Sequence, residues 1–229
     1  CGSRGTGKTS AARIMAMAIN CQEPRNGDPC LACAHCLALQ SETTLDVFEM
    51  DAASNSRVEE IREMLSRTDY PPQFVKYKVY IIDEVHMLSN AAFNALLKTL
   101  EEPPEYMVFI LATTEPQKLP ATILSRCQRY DFGRISEQEI ISRLKQALVD
   151  GLSAEEGALR LIAAAAQGSM RDAWSLMDMC LGAEKHLTQE NVRLALGTVS
   201  EDFLFEFARA LLDADTASAL ALTDRLMKG

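Results

Sequence analysis

The sequence lacks several features that mark specialised classes of protein. Its 229 residues contain no run of about 18 apolar residues, which predicts that no helix spans a membrane. Positive charge is in deficit, with 23 Lys and Arg against 32 Asp and Glu. This deficit excludes a uniformly basic nucleic-acid coat but not a local basic patch. The 7 cysteines are too few and too clustered for a disulfide scaffold.

The pattern of apolar residues predicts an α/β fold followed by a helical region. Buried strands alternate with helices in the first part of the chain, which is typical of a parallel sheet covered on both faces. After Gly133 only helical patterns remain. Strands are predicted at 47–51, 79–83, 107–112 and 128–132, and helices at 8–20, 56–68, 89–102, 137–150, 154–167 and 170–182. Capping boxes are predicted at Ser56–Glu59, Ser136–Glu139 and Ser153–Glu156. Further helix starts are predicted at Ser89, Thr188 and Ser200. The helix after Ser200 is predicted to carry an apolar stripe of Phe203, Phe207, Leu211 and Leu212.

The chain opens with a phosphate-binding motif. The segment GSRGTGKT fits G-x-x-x-x-G-K-[ST] at every fixed position. Glycines let backbone N–H groups curl round a phosphate chain, and the helix that follows adds its positive end. The alternative is a plain glycine-rich turn. The glycines are Gly2, Gly5 and Gly7, with Lys8 expected on the β- and γ-phosphates and Thr9 on Mg²⁺.

Acidic and hydroxyl side chains follow two of the predicted strands. Asp83 and Glu84 end the strand at 79–83, which places them at the carboxyl edge of the sheet beside the glycine turn. We expect Asp83 to hold Mg²⁺ through water and Glu84 to orient and deprotonate the attacking water. Thr114 is the preferred contact for that water and Thr113 its competitor. Without the glycine turn, these residues would indicate a solvated helix entry and a strand-end turn.

Four cysteines lie close together in the segment 21–36. Three of them form Cys-x-x-Cys-x-x-Cys, and four thiolates favour tetrahedral Zn²⁺ in a closed structural site. An iron–sulfur cluster and two disulfides are the alternatives. His35, between two of these cysteines, is expected to be exposed. The predicted ligands are Cys21, Cys30, Cys33 and Cys36, which leaves Cys1, Cys127 and Cys180 as ordinary thiols.

With these motifs, the chain resembles the γ/τ family of bacterial DNA polymerase III, the motor subunits of the sliding-clamp loader. The resemblance covers nearly the whole length and rests on the glycine turn, the cysteine segment, VFEMDAAS, VYIIDEVHMLSNAAFNALLKTLEEPPE, LATTEPQKLPATILSR and GSMRDAWSL. It implies an AAA+ nucleotide-binding core at 1–133 that carries the zinc loop 21–36. A helical lid at 134–195 and the start of a collar domain at 196–229 would follow.

The resemblance also implies roles for two arginines. Arg126, in SRC, would be an arginine finger acting on the ATP of a neighbouring subunit, and such a cation can be worth about 10³–10⁵ in rate. Arg171 would be the second sensor of the lid, contacting phosphates within its own subunit. Taken alone, either arginine would be a surface salt-bridge partner.

The implied setting is a cytoplasmic bacterial replisome. The family assembles as a heteropentamer of delta, delta-prime and further γ/τ copies, loads the sliding clamp and encloses primer–template DNA. Arg57 and Lys98 are the candidate phosphate contacts, although a solvated helix face is an equal interpretation for both. Another AAA+ DNA-processing ATPase, such as a branch-migration motor, and a non-hydrolysing scaffold subunit are the competing functions.

The resemblance finally predicts a trimmed molecule. The chain starts at Cys1 inside a functional motif, and the strand and adenine-contacting segment that precede this motif in the family are not in the sequence. The end after a helical pattern suggests a cut there as well. Weak nucleotide binding and low stability are the expected consequences for the chain as it stands.

Overall fold

The computed structural model describes residues 1–41, 44–55, 57–68, 70–149, 151–181, 185–197 and 201–228, without the side chains at 201–202 and 225–228. In it the chain forms two compact units, Cys1–Arg134 and Ile135–Gly229. None of the helices in these described ranges is long and apolar enough to cross a bilayer.

A three-stranded parallel sheet organises the first unit, as the alternation of strands and helices predicts. The strand order is β1 (Val47–Asp51), β2 (Lys78–Asp83) and β3 (Met107–Leu111), and the register places Asp51 opposite Asp83. Parallel pairing brings the carboxyl ends of all three strands to one edge. The β2 segment Val79–Ile82 is fully buried, which explains its unbroken apolar sequence.

Helices cover both faces of this sheet. Since successive side chains of a strand point to opposite faces, Val79 and Ile81 pack with Ala12 and Ala16 of the first helix. Tyr80 and Ile82 lie in the larger core on the other face. The helices are α1 (Lys8–Asn20), α2 (Ala34–Gln40), α3 (Val58–Ser66), α4 (Asn90–Glu101) and α5 (Ala121–Leu124), with short 3₁₀ turns at Val85–Met87 and Pro116–Lys118.

One predicted helix cap of this unit, Ser89, forms in the structure, and another, Ser56, cannot be compared. The Ser89 hydroxyl accepts the N–H of Ala92 and caps α4, as predicted. Ser56 lies outside the described residues, and α3 begins at Val58. There the Glu60 carboxylate accepts the N–H of Arg57 at 3.0 Å, a role that the sequence suggests for Glu59.

The strand predicted at 128–132 is not formed. Phe132 makes one isolated parallel bridge to Gly2, and its N–H donates to the Cys1 carbonyl at 2.7 Å. On the other side, the Gly2 N–H donates to the Thr113 carbonyl at 3.2 Å. Among the described residues, the segment 128–132 therefore contributes one bridge beside Gly2 and no further ladder pairing.

Asn20 occupies a buried position at the end of α1. Its Oδ1 accepts the Tyr77 N–H at 2.7 Å, and its Nδ2 donates to the carbonyls of Ala16 and Tyr77, both at 3.1 Å. The Asn20 backbone carbonyl receives His35 Nδ1 at 2.8 Å. One residue therefore ties together the end of α1, the segment before β2 and the cysteine segment.

The second unit is helical around a core that includes Ile140, Leu144, Leu159, Ile162 and Met177. The Ser136–Glu139 capping box forms as predicted, and Thr188 caps its helix by accepting the Asn191 N–H. The helices are α6 (Glu137–Gln146), α7 (Glu156–Ala165), α8 (Met170–Leu181), α9 (Gln189–Leu196), α10 (Glu201–Leu212) and α11 (Thr216–Lys228).

The prediction of purely helical structure after residue 136 misses a small parallel pair. Strands β4 (Ser153–Ala154) and β5 (His186–Leu187) lie side by side. Ser153 therefore does not cap α7, whose N-cap is Glu155, and its hydroxyl instead bonds His186 Nδ1 at 2.6 Å. A pair of two-residue strands is too short to leave a periodic signal.

The predicted apolar stripe of α10 is correct in its first half only. The rings of Phe203 and Phe207 stack at 6.4 Å, but Leu211 is 60% exposed and Leu212 is 87% exposed. Ala210 is the buried residue at this end of the helix. Ser200, the predicted cap, lies outside the described residues.

Candidate nucleotide and metal sites

The glycine turn has the backbone conformation that its sequence requires. Gly5 and Gly7 have φ angles of +73° and +92°, in the region that L side chains rarely adopt. A Cβ on Gly2 would lie 2.4 Å from the Phe132 carbonyl oxygen, so a side chain would clash there. Gly7 is the N-cap of α1, and the Lys8 Nζ donates to the Ser3 carbonyl at 2.9 Å, folded back over the turn.

The glycine turn and the acidic end of β2 meet. The Thr9 hydroxyl donates to Asp83 Oδ2 at 2.5 Å across a sequence separation of 74 residues. Both side chains belong to the set expected around Mg²⁺, and their oxygens lie within the reach of one ion. The contact brings a hydroxyl and a carboxylate, both possible Mg²⁺ ligands, together beside the glycine turn.

Glu84 is oriented by the end of the neighbouring strand. Its Oε2 accepts both the N–H of Thr114, at 3.1 Å, and the hydroxyl of Thr114, at 2.9 Å. Glu84 has a φ of +45°, an unusual conformation for a residue with a side chain. The structure thus joins Thr114, the preferred threonine, to the predicted base, while Thr113 is fully buried and faces elsewhere.

His86 is a member of this cluster that sequence reasoning missed. Its side chain is 6% exposed, and its Nδ1 lies 2.9 Å from Thr113 Oγ1 and 3.4 Å from Glu84 Oε2. Its Nε2 lies 3.4 Å from Glu115 Oε1. The one available signal is its place two residues after Glu84, at the end of the DEVH segment.

Arg126 is held at the surface rather than in the glycine-turn cluster. Its Nη2 lies 2.7 Å from Glu101 Oε1, at the end of α4, and its Nη1 donates to the Thr122 carbonyl at 2.8 Å. About a third of the side chain is exposed. An exposed ion pair of this kind contributes only about 0–1 kcal/mol, so it can be exchanged at little cost.

The other predicted arginine and the two candidate DNA contacts are exposed. Arg171 is the second residue of α8 in the second unit. Arg57 precedes α3, and Lys98 lies in the last turn of α4. The structure gives their positions on these helices and leaves their roles as proposals.

The four cysteines of the segment 21–36 converge, as their spacing predicts. Their sulfur atoms all lie within 4.8 Å of one another, in an arrangement that could hold a metal ion. Backbone N–H groups of Gln22 and Cys36 lower the pKa of the Cys33 thiol to about 6, while burial raises the pKa of Cys36 to about 12. All seven cysteines are described and free, which contradicts the alternative of two disulfides.

His35 is not the exposed side chain that the sequence suggests. It is half-buried, with Nδ1 on the Asn20 carbonyl and its ring 5.2 Å from that of Phe74. Because a carbonyl can only accept, Nδ1 carries the proton. The ring supports the cysteine segment from behind and is not one of the converging ligands.

Solved structures first define the class of this fold. The Holliday junction branch migration motor RuvB of Thermotoga maritima superposes with a TM-score of 0.60 over 97% of this chain and 72% of that one, at 17% identity. At this identity the likeness shows the fold alone. Together with the glycine turn and the acidic strand end, it defines a P-loop domain of the AAA+ class.

Sequence comparison then gives the family. Residues 1–136 match the model of the DNA polymerase III delta subunit, and residues 139–182 match the ATPase lid domain of the DNA polymerase III clamp loader subunit. The chain is 49% identical to DNA polymerase III subunit tau of Bacillus subtilis, over 99% of this chain and 41% of that protein. For the tau subunit of Escherichia coli the values are 43%, 96% and 35%. The chain belongs to the DNA polymerase III clamp-loader family, and it spans less than half the length of these two relatives.

Proposed function

We propose that the chain is the ATP-hydrolysing part of a clamp-loader motor subunit, which loads a sliding clamp onto primer–template DNA in the bacterial cytoplasm. The observation that carries this proposal is the contact between Thr9 and Asp83. It joins the phosphate-binding turn to the acidic strand end at a distance that one Mg²⁺ can span. A scaffold that never hydrolyses ATP would not need the base and its orienting threonine beside that contact.

The residues divide the chemistry among them. The N–H groups of the glycine turn and Lys8 hold the triphosphate, for which Lys8 exchanges the Ser3 carbonyl for phosphate oxygens. Thr9 and Asp83 would hold Mg²⁺, and the ion would supply positive charge against the charge that develops on the phosphates. Thr114 fixes one carboxylate oxygen of Glu84. The other oxygen accepts no hydrogen bond from the described residues, so it is free to take a proton from the attacking water.

The arginines complete the proposal from outside this cluster. Arg126 acts on the ATP of a neighbouring subunit and exchanges Glu101 for phosphate oxygens when the subunits meet. Arg171 contacts phosphates from the helical lid. In this arrangement 1–133 is the core, 134–195 the lid and 196–229 the start of the collar, and hydrolysis depends on assembly.

The partners we propose are those implied by the family. They are delta, delta-prime and further γ/τ subunits in a heteropentamer, together with the sliding clamp and DNA. Arg57 and Lys98 contact the DNA phosphates, which gives binding that depends on salt and little on sequence.

We propose that the four thiolates hold zinc. With zinc–sulfur bonds of about 2.3 Å, the sulfurs of a tetrahedral site lie about 3.8 Å apart. Cys21 Sγ and Cys33 Sγ lie 4.0 Å apart. In an iron–sulfur cluster, thiolates on different irons are separated by sulfide and lie further apart than the 4.8 Å within which all four sulfurs lie here. None of the four thiols is among the described contacts of the glycine turn, so the role we propose for the zinc is structural.

The test is DNA-stimulated ATP hydrolysis by the complete protein assembled with its partner subunits. We expect turnover in the wild-type assembly and its loss in Glu84→Gln, which keeps the side-chain size and should still bind ATP. ATP binding without turnover in the wild-type assembly would establish the scaffold instead.

The role of Arg126 has its own control. Arg126→Ala should keep ATP affinity and lower turnover by about 10³-fold. Arg129→Ala removes a nearby exposed arginine that pairs with Asp131 and should have little effect. Equal turnover in the two variants would contradict the action of Arg126 on a neighbour.

A further inference from the structure

We infer that His86 is a positioning residue for ATP hydrolysis: it holds the Thr113–Thr114 segment in the place from which Thr114 orients Glu84. This inference rests on the proposed ATPase function. His86 Nδ1 lies 3.4 Å from Glu84 Oε2 but bonds Thr113 Oγ1 more closely, at 2.9 Å, and we assign its effect on the reaction to that bond.

His86 completes a closed ring of hydrogen bonds between the turn after β2 and the turn after β3. The turn after β2 and the turn after β3 are joined by the Val85 N–H, which donates to the Ala112 carbonyl at 3.0 Å. Thr114 bonds Glu84 on one side of this link, and His86 bonds Thr113 on the other. The two threonines are adjacent in sequence, so fixing one of them restricts the other.

The hydrogen bond between His86 and Thr113 has a defined direction. The Thr113 hydroxyl accepts the N–H of Glu115 at 3.0 Å, and Thr113 is fully buried. Its own proton therefore needs an acceptor, and His86 Nδ1 is the one within reach. This assigns the neutral tautomer with the proton on Nε2, which faces Glu115 Oε1. The assignment satisfies the buried hydroxyl and both ring nitrogens.

This ring of hydrogen bonds also contacts the glycine turn. The Thr113 carbonyl accepts the Gly2 N–H at 3.2 Å, so the same residue contacts the first position of the phosphate-binding motif. This second contact holds the Thr113 backbone at Gly2, so loss of the side-chain bond would chiefly displace Thr114 and, through it, Glu84. Because displacement of a catalytic group by about 1 Å can cost about 100-fold in rate, a small shift is enough to matter.

The test uses variants of His86 and Thr113 in the complete protein assembled with its partners. His86→Ala and Thr113→Val should each lower kcat by about 10- to 100-fold while the Kd for ATP stays within about threefold. The kcat of the double variant should be no lower than that of the poorer single variant, because both changes remove the same hydrogen bond. Met87→Ala, on the same turn but half-exposed, is the control and should be unchanged.

Two conservative variants separate positioning from simple packing. His86→Asn places an amide oxygen near the Nδ1 position and should recover most of kcat. His86→Gln places its amide near the Nε2 position and should not. A gain with Gln but not with Asn would assign the effect to Glu115 and overturn the inference.

The outcomes also separate this inference from the proposed function. If the wild-type assembly binds ATP and hydrolyses none, the proposed function fails. If it hydrolyses ATP and His86→Ala hydrolyses it equally fast, the inference alone fails. Additive losses from His86→Ala and Thr113→Val would likewise overturn it, since they would show that the two side chains act separately.

Discussion

The cysteine segment and the nucleotide edge of the sheet are assembled in opposite ways. The four thiols come from 16 consecutive positions and converge through local turns, so their spacing alone defines their meeting. Thr9 and Asp83 are 74 residues apart and meet because α1, which begins beside Thr9, packs on the sheet at whose carboxyl edge Asp83 ends β2. A local site can be recognised from spacing, whereas a topological site requires the fold to be inferred first. The two sites should therefore fail independently.

The largest expected effect tests the topological site. Lys8→Ala should weaken ATP binding by about 100-fold or more, which corresponds to about 2.7 kcal/mol, because it removes the cation placed for the phosphates. Titration with ATP measures it, and the metal content should not change. Arg4→Ala, an exposed position of the same turn, is the matched control. Unchanged affinity in Lys8→Ala would show that the turn does not bind phosphate.

The next effect tests the local site. Cys30→Ser should reduce the metal content from about one ion per chain to near zero and lower the unfolding temperature. The affinity for ATP should stay within about threefold. Cys180→Ser, outside the cluster, should keep both metal and stability. Elemental analysis and thermal unfolding measure the two properties, and loss of ATP affinity in Cys30→Ser would show that the sites are coupled.

A smaller effect compares two serines of the second unit with the same local sequence signal. Ser136 caps α6, so Ser136→Ala should cost about 1 kcal/mol of unfolding free energy. Ser153 belongs to β4 and caps nothing, so Ser153→Ala should carry no capping cost. Denaturant unfolding distinguishes them. Ser153→Ala should lose only the exposed hydrogen bond to His186, so a loss as large as that in Ser136→Ala would contradict this difference.

The smallest effect depends on pH. Hydrogen bonds from Ser136 lower the pKa of Glu139. A carboxyl whose pKa is lower in the folded protein stabilises it above the unfolded value, and this contribution is lost as the pH falls through the folded value. Glu139→Gln should therefore lower the unfolding temperature at neutral pH, and the difference should narrow towards about pH 3. A difference that grew on acidification would have the wrong sign.

Much of the architecture follows from the sequence, for identifiable reasons. The bounds of α1 and β1 are as predicted, because an apolar helix after a glycine turn and a short apolar strand ending in acid both have strong local signals. The parallel sheet follows from the alternation of strands and helices. Since such a sheet gathers the carboxyl ends of its strands at one edge, the meeting of Thr9 and Asp83 is predictable from these two features together.

The predictions that failed depend on contacts between distant segments. Phe132 makes one isolated bridge, to Gly2 at the other end of this unit, which no pattern within 128–132 reveals. Ser153 is recruited into a strand beside His186, which is 33 residues away. The place of His86 two residues after Glu84 does not reveal its partner Thr113, which follows another strand. Local patterns predict elements well, but they do not report which distant residue will bond a given side chain.

Asn20 joins three segments of the chain through hydrogen bonds that no apolar side chain of similar size could make. A leucine there has the same branched shape, yet it would leave the N–H and the carbonyl of Tyr77 without these partners in a part-buried position. Asn20 lies at the C-terminal end of α1, and its own backbone carbonyl accepts the hydrogen bond from His35 Nδ1. Loss of this side chain would therefore disturb the segment before β2 and the cysteine segment together, at the end of α1 opposite the glycine turn.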